Sequence, residues 1–330
     1  MQTKFYLLLT SCLILFLGDL ALGSVWIPIS EVFQILIGNE ATNPVWQTII
    51  LDYRMPRVFA AAIVGASLAI SGLLMQTLFR NPIAGPYVLG ISSGASLGVA
   101  VLLMSASGLT FIASSSWALV GMAGLGSFLV LMLMLSIAWR VREIVTLLIV
   151  GLMLGSATSA IVTVLEYFSG LHQLKQFVLW SFGSLTRISF EELQILSVVC
   201  GTGLIASFFI VKSLNVLLVG EEYAKSMGLN VMPIRFVIIF ITAILAGSVT
   251  AFCGPIAFVG IATPHLARMF FKTQNHQILL PATMIIGVMI MLFCDILAQV
   301  PGSEQQLPIN AVTSLLGAPV VIWIVIKRNY

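Results

Sequence analysis

KSLNVLLVGEEYAKSMGLNVMPIR (residues 212–235) is the longest run in this chain that combines charge, glycine breaks and helix-forming residues. Apolar segments at 191–211 and 234–252 flank it, each close to the roughly 20 residues a helix needs to cross a hydrocarbon core. The run is too polar to join them inside a bilayer, so it reads as the part of the chain that reaches a soluble partner. Outward from it the pattern repeats. The 330 residues are 59% hydrophobic and 8% charged, with a mean hydropathy of +1.10. A soluble domain carries about 25% charged residues. The composition predicts an all-α polytopic membrane protein, a single transmembrane domain over 1–330 with short loops.

Ten spans are expected, at about 5–23, 57–79, 88–107, 117–138, 144–166, 191–211, 234–252, 256–271, 279–298 and 309–326. The first resembles a signal peptide, with Lys4, an apolar core and Ala-Leu-Gly-Ser at 21–24. Asp19 and the long apolar run suit a retained helix at least as well. Basic residues orient the bundle. With the N-terminus inside, Lys4, Arg80, Arg140, Arg142, Lys212, Lys225, Arg235, Arg268, Lys272, Lys327 and Arg328 are cytoplasmic; only Arg54, Arg57, Lys175 and Arg187 are outside, 11 of the 15 against 4. Glu31, Glu40, Asp52, Glu191, Glu192 and Glu304 fall outside. Both termini and the 212–235 loop are therefore expected in the cytoplasm, and 171–187 as a short helix on the outer surface.

The chemistry is sparse. No GxxxxGK[ST] phosphate loop, HExxH or GxSxG motif occurs. Cys12, Cys200, Cys253 and Cys294 lie in apolar runs without a CxxC pair, which reads as buried thiols rather than a disulfide or metal site. No basic tract suggests nucleic acid. The six tryptophans fall near span ends as interfacial anchors, with an aromatic-ligand stack the other use for Trp180. Small residues at Gly121–Gly124 and Gly151-x3-Gly155 read as helix-packing positions. Asp295, the deepest acid, is a candidate proton or sodium relay or a hydrogen bond to a neighbouring helix. His265 is a candidate catalytic group or a cap on main-chain carbonyls. Proline and glycine cluster at 80–96, 253–268 and 299–319; such breaks are tolerated only inside protein or along a water-filled path, so some should line a gate.

Four stretches carry a specific resemblance: RMPRVFAAAIVGASLAISGLLMQTLFRNPIAGPYVLGISSGAS (54–96), GEEYAKSMGLNV (220–231), GPIAFVGIATPHLAR (254–268) and LPINAVTSLLGAPVVIWIV (307–325). In this order they resemble the permeases of type II ABC importers for ferric siderophores, haem and vitamin B12. The resemblance implies a ten-helix permease in the bacterial inner membrane, paired with a second copy of itself. Its further partners are two cytoplasmic ATPases, which bind ATP and Mg, and a periplasmic binding protein. No cofactor, metal or catalytic group is expected on this chain. Gly220, Glu221, Glu222, Ala224, Lys225, Met227 and Gly228 become the ATPase coupling segment, with Ala224 and Met227 sharing one face and the charges making polar contacts. Arg54 and Arg57 become docking groups for acids of the binding protein, and Asn81, Pro82 and Ile83 a cytoplasmic gate. The chain departs from the family at Gln299, Gln306 and Asn310, where an arginine, a glutamate and a glycine are usual, so docking is expected to rest on Arg54 and Arg57. The rival readings are an ion-coupled transporter using Asp295 and an intramembrane enzyme around His265.

Overall fold

The computed structural model describes residues 2–39, 41–104, 115–141, 143–186, 188–303 and 305–328, without the side chains of 324, 325, 327 and 328. The expected end of the third span (105–107) and the placements of Arg142, Arg187, Glu40, Glu304, Lys327 and Arg328 lie outside this description in whole or in side chain. Helices are the regular elements of the described residues, which contain no strand. In chain order the helices are α1 (Gln2–Ala21), α2 (Ile29–Leu36), α3 (Pro44–Thr48), α4 (Met55–Leu78), α5 (Ile91–Met104), α6 (Ser116–Arg140), α7 (Ile144–Phe168) and α8 (Leu171–Ser181). There follow α9 (Phe190–Phe209), α10 (Val211–Leu217), α11 (Glu221–Ser226), α12 (Val231–Cys253), α13 (Val259–Phe271), α14 (His276–Ala298) and α15 (Ile309–Arg328). Seven helical stretches are long and apolar enough to cross a membrane, and α5 and the 309–323 part of α15 are shorter apolar helices. The helix expected near 171–187 covers Leu171–Ser181.

Two spans differ from their expected limits for local reasons. The second begins earlier, because Pro44–Leu78 is one continuous helical stretch of 35 residues. Pro56 cannot donate a hydrogen bond, and the preceding turn widens into a π-helix at Ile49–Arg54, where Met55 N–H reaches Ile50 O. The eighth starts later, at Val259, because 254–258 is irregular. Gly254 (φ +74°) and Phe258 (φ +67°) reverse the chain there. Asn310 Oδ1 accepts from Ala257 N at 3.0 Å, and Cys253 O accepts from Ser184 N at 2.8 Å. Asn310, one of the departures from the resembled family, thus satisfies backbone that would otherwise be orphaned in an apolar setting.

Helix α4 is the axis of the bundle: 83% of its apolar stretch is buried, against 17% for α7. Neighbouring backbones touch it directly. A Cβ added at Gly72 would overlap the carbonyl oxygen of Gly260 on α13, and Gly65 and Gly287 (α14) each exclude a Cβ in the same way. Gly94 of α5 and Gly126 of α6 form a third such contact, and Gly151 meets the carbonyl of Val88. Gly121 and Gly124, expected as packing positions, have no atom within 4 Å of an added Cβ. They lie on an outward face of α6, which the residue spacing alone could not distinguish from an inward one.

At the end of the bundle away from residues 212–235, α1, α4 and α14 share a buried polar cluster. Arg57 holds Asp295 with two bonds, Nε to Oδ2 at 2.7 Å and Nη2 to Oδ1 at 2.8 Å. Gln299 Nε2 donates to Asp19 Oδ1 at 2.6 Å and to Asp295 Oδ2 at 3.3 Å. Arg54 donates Nη1 to Leu20 O at 2.7 Å and Nη2 to Val25 O. Gly23 admits these groups, since a Cβ there would lie 2.7 Å from Arg54 Nη2. Helix α1 is thereby stitched to the core by side chains from two other helices.

Overpacking a backbone contact costs about 1–3 kcal/mol. Gly72→Ala is therefore expected to lower the thermal unfolding midpoint of the purified protein, while Gly121→Ala leaves it unchanged or raised. Removing one partner of a buried ion pair costs about 3–5 kcal/mol. Asp295→Ala should lower the midpoint strongly, and the Arg57→Leu/Asp295→Leu double variant should recover most of the loss in the same assay.

Candidate functional site

The 212–235 run is not one loop. Lys212 lies within α10 and Arg235 inside α12, so the free connection is 218–230. Two glycines set its path: Gly220 at φ +116° and Gly228 at φ +84°, both in the left-handed region that favours glycine. Between them α11 makes a short helix, and Leu229 N closes it by donating to Ala224 O at 3.0 Å.

The faces of α11 differ from expectation. Ala224 is fully buried and Met227 is 57% exposed, so the two do not share a surface. Glu221 is not a free polar contact: both its oxygens accept from Arg235 Nη2, at 3.0 and 3.2 Å, while Arg235 Nη1 donates to Val141 O at 3.0 Å. This pair fastens α11 to the start of α12. What faces outward is Tyr223, Met227 and Val219, beside an exposed Lys225–Glu222 pair at 2.8 Å. An exposed i,i+3 pair contributes little to stability. Tyr223 was missed from sequence, although its spacing of four from Met227 places both on one helical stripe.

The expected gate lies beside this segment. Helix α4 ends at Leu78, and Arg80 turns the chain with φ +48°. Asn81 Oδ1 accepts from Ile83 N at 3.1 Å and Asn81 O from Ala84 N at 3.1 Å, a tight turn that leaves Ile83 half exposed. Pro82 O accepts from His265 Nε2 at 2.7 Å. The ring of His265 therefore tethers the turn to α13, as a cap on a main-chain carbonyl does.

Two contacts link the end of α4 and the turn after it to α10 and the 218–230 connection. A Cβ on Gly220 would stand 3.3 Å from Arg80 Nη1, so the first turn of the segment rests on the gate arginine. The second contact is a chain of hydrogen bonds through α14. Asn215 of α10 accepts at Oδ1 from the main-chain N of His276 at 2.8 Å and donates Nδ2 to Asn275 Oδ1 at 3.0 Å. With the amide fixed in that sense, His276 Nδ1 donates to Asn215 Oδ1 at 2.9 Å. His276 Nε2 lies 2.9 Å from the Thr77 hydroxyl near the end of α4, and that hydroxyl donates to Leu73 O at 2.8 Å. None of Asn215, His276 and Thr77 stands out in the sequence, because they meet only through packing.

At the opposite end, Arg54, Arg57, Tyr53, Thr186, Gln299 and Gln306 line a cavity of about 280 Å³. Both arginines were expected as free docking groups. The structure instead buries them to 6% and 9% exposure, with Arg57 committed to Asp295 and Arg54 to two carbonyls. A buried guanidinium without such partners would be costly. Asp295 is likewise no free relay, since both its oxygens are held by Arg57. Gln299, in the usual place of an arginine, bridges the two aspartates. Trp180 stacks on Phe177 with ring centroids 6.1 Å apart, and both are buried, which leaves no face for an aromatic ligand. The four cysteines are free.

Comparison with known proteins identifies the family. Residues 10–327 match the model of the FecCD transport family. The chain is 34% identical over 323 residues to the hemin transport system permease protein HmuU of Yersinia pestis, covering 98% of this chain and 96% of that protein. It is 34% identical to the vitamin B12 import system permease protein BtuC of Klebsiella pneumoniae, with 96% and 91% covered. It is 32% identical to the molybdate import system permease protein MolB of Haemophilus influenzae, with 91% and 88% covered. A solved metal-chelate type ABC transporter in an inward-facing conformation superimposes with a TM-score of 0.87 at 30% identity, over 99% of this chain and 100% of that one. With an all-helical bundle among the described residues and a match over nearly its whole length, the chain belongs to the FecCD transport family.

Proposed function

We propose that this permease is the membrane subunit of an ATP-driven importer that carries a metal chelate across a bacterial inner membrane. It works as one half of a homodimer, with two ATPase subunits on the cytoplasmic side and a binding protein outside. Each copy crosses ten times with both termini in the cytoplasm, which the excess of basic residues at the 212–235 end supports. Ferric siderophore is the first choice of cargo, with haem or cobalamin next. Relatives of similar identity are named for hemin, vitamin B12 and molybdate, so overall identity does not select the cargo.

The observation that carries this reading is the outward stripe of Tyr223 and Met227, held between two glycine turns and fastened behind by Glu221–Arg235. A short rigid helix with exposed aromatic and thioether groups suits a groove in a soluble partner, where such side chains anchor contacts. ATP binds with Mg on that partner, and closure of the two ATPases displaces α11. The displacement reaches the gate turn through Gly220 against Arg80, and the end of α4 through Asn215, His276 and Thr77. Arg57 engages both oxygens of Asp295, the carboxylate on which the ion-coupled reading rests.

Proteoliposomes with the permease, its ATPase and its binding protein are expected to accumulate a ferric siderophore, haem or cobalamin only when ATP is present. Absence of ATP-dependent uptake for all three would reject the reading. Anchors of this kind contribute 2 kcal/mol or more each, roughly thirtyfold in affinity. The Tyr223→Ala/Met227→Ala pair should therefore abolish co-purification of the ATPase without lowering the permease's unfolding midpoint. Glu222→Lys should leave co-purification nearly intact, and Glu221→Lys should lower the midpoint by stranding Arg235.

A further inference from the structure

We propose that the cavity beside the gate turn is a binding site for an oxyanion group, phosphate or carboxylate, held by Arg268 and Arg80. The cavity measures about 540 Å³, and its polar lining is Gln76, Thr77, Arg80, His265, Arg268 and Gln274, with Trp323 also on its wall. None of the described residues that line it is acidic.

Arg268, a half-buried side chain whose Nε is buried, differs from the buried arginines of the chain. Arg57 has Asp295, Arg235 has Glu221, and Arg54 has two main-chain carbonyls. Arg268 forms no ion pair among the described residues; its Nη1 donates to Gln76 Oε1 at 2.6 Å, and its Nε is buried without a partner. Gln76 cannot neutralise the charge, and its own amide is anchored by Nε2 donating to Ile261 O at 3.0 Å. Buried charges are normally balanced by a partner of opposite sign, because desolvation of a lone ion costs several kcal/mol. Here the wall of a cavity takes the place of that partner. Gln76 orients the guanidinium through Nη1, which leaves Nη2 as the group for a charge-assisted bond to an oxygen of a carboxylate or phosphate.

Arg80 supplies the second charge. Its unusual backbone (φ +48°) and its contact with Gly220 hold it at the cavity rim, exposed and without a carboxylate partner among the described residues. His265 is tied to Pro82 O, so an anion here would touch the gate turn through the residues that position it. Trp323 is of the type that settles at headgroup depth. Two sources present this chemistry at that depth: the headgroup of an anionic lipid, and a small anion in solution, including an acidic group on cargo leaving the transporter.

The test needs neither ATPase nor binding protein, so it stands or falls apart from the importer reading. The full chain in phosphatidylcholine nanodiscs is titrated with inorganic phosphate and with citrate, against chloride at matched ionic strength, reading the thermal unfolding midpoint. A parallel arm exchanges part of the phosphatidylcholine for phosphatidylglycerol. A midpoint raised by phosphate or citrate identifies a soluble anion, and one raised only by phosphatidylglycerol identifies a headgroup. Either shift should vanish in Arg268→Gln. In Arg80→Gln, where the altered side chain is exposed and folding is unaffected, it should need about tenfold more ligand. No shift in either arm overturns the proposal, as does a shift unchanged in Arg80→Gln, which decides the matter if Arg268→Gln does not fold.

Discussion

Backbone lies directly on backbone along α4. At Gly72–Gly260 and Gly65–Gly287 no side chain separates neighbouring helices, and a single added carbon would collide with a carbonyl. In a bilayer there is little hydrophobic drive between helices, so close van der Waals packing of this kind sets their spacing. The consequence is a stiff central rod with its two ends in different chemical settings. One end bears Arg54 and Arg57 in the polar cluster, and the other bears Gln76, Thr77 and the Arg80–Ile83 turn. Movement imposed at one end of such a rod can reach the other only by shifting the helices packed on it.

Polar groups inside the bundle obey a second constraint, that each needs a partner where water is scarce. Arg57 and Asp295 satisfy one another, Gln299 joins Asp19 to them, and Arg235 fastens the coupling segment by taking Glu221. The same residues that look reactive in a list of charges are thereby made structural. The exposed stripe of α11 is apolar and aromatic instead, which suits a lasting contact with a soluble partner better than surface ion pairs do.

Much of this was readable in the order of residues. Composition required an all-helical membrane bundle, and seven helical stretches among the described residues are long and apolar enough to span, because a run of about 20 apolar residues has few other stable conformations in lipid. The glycines at 220 and 228 marked the turns of the coupling segment, since their backbone angles exclude other residues. Individual roles were less legible. Ala224 and Met227 were paired by spacing, but α11 is seated by Arg235 with Ala224 inward, and Tyr223 takes the outward place. Arg54 and Arg57 were assigned to a partner because nothing in sequence reveals that Asp295, 238 positions away, already holds one of them.

The sequence by itself determined the class of fold, the family and the position of a polar segment between two apolar helices. These rest on hydrophobic length, charge distribution and backbone geometry, which are local properties. Only the tertiary structure decided which charges are spent internally and which remain available. It placed Thr77, Asn215 and His276 in one chain of bonds, and left Arg268 facing a cavity without an acid. The reason is physical: a side chain's partner in a helical bundle is set by the rotation and depth of separate helices, and glycine contacts far from the site fix both.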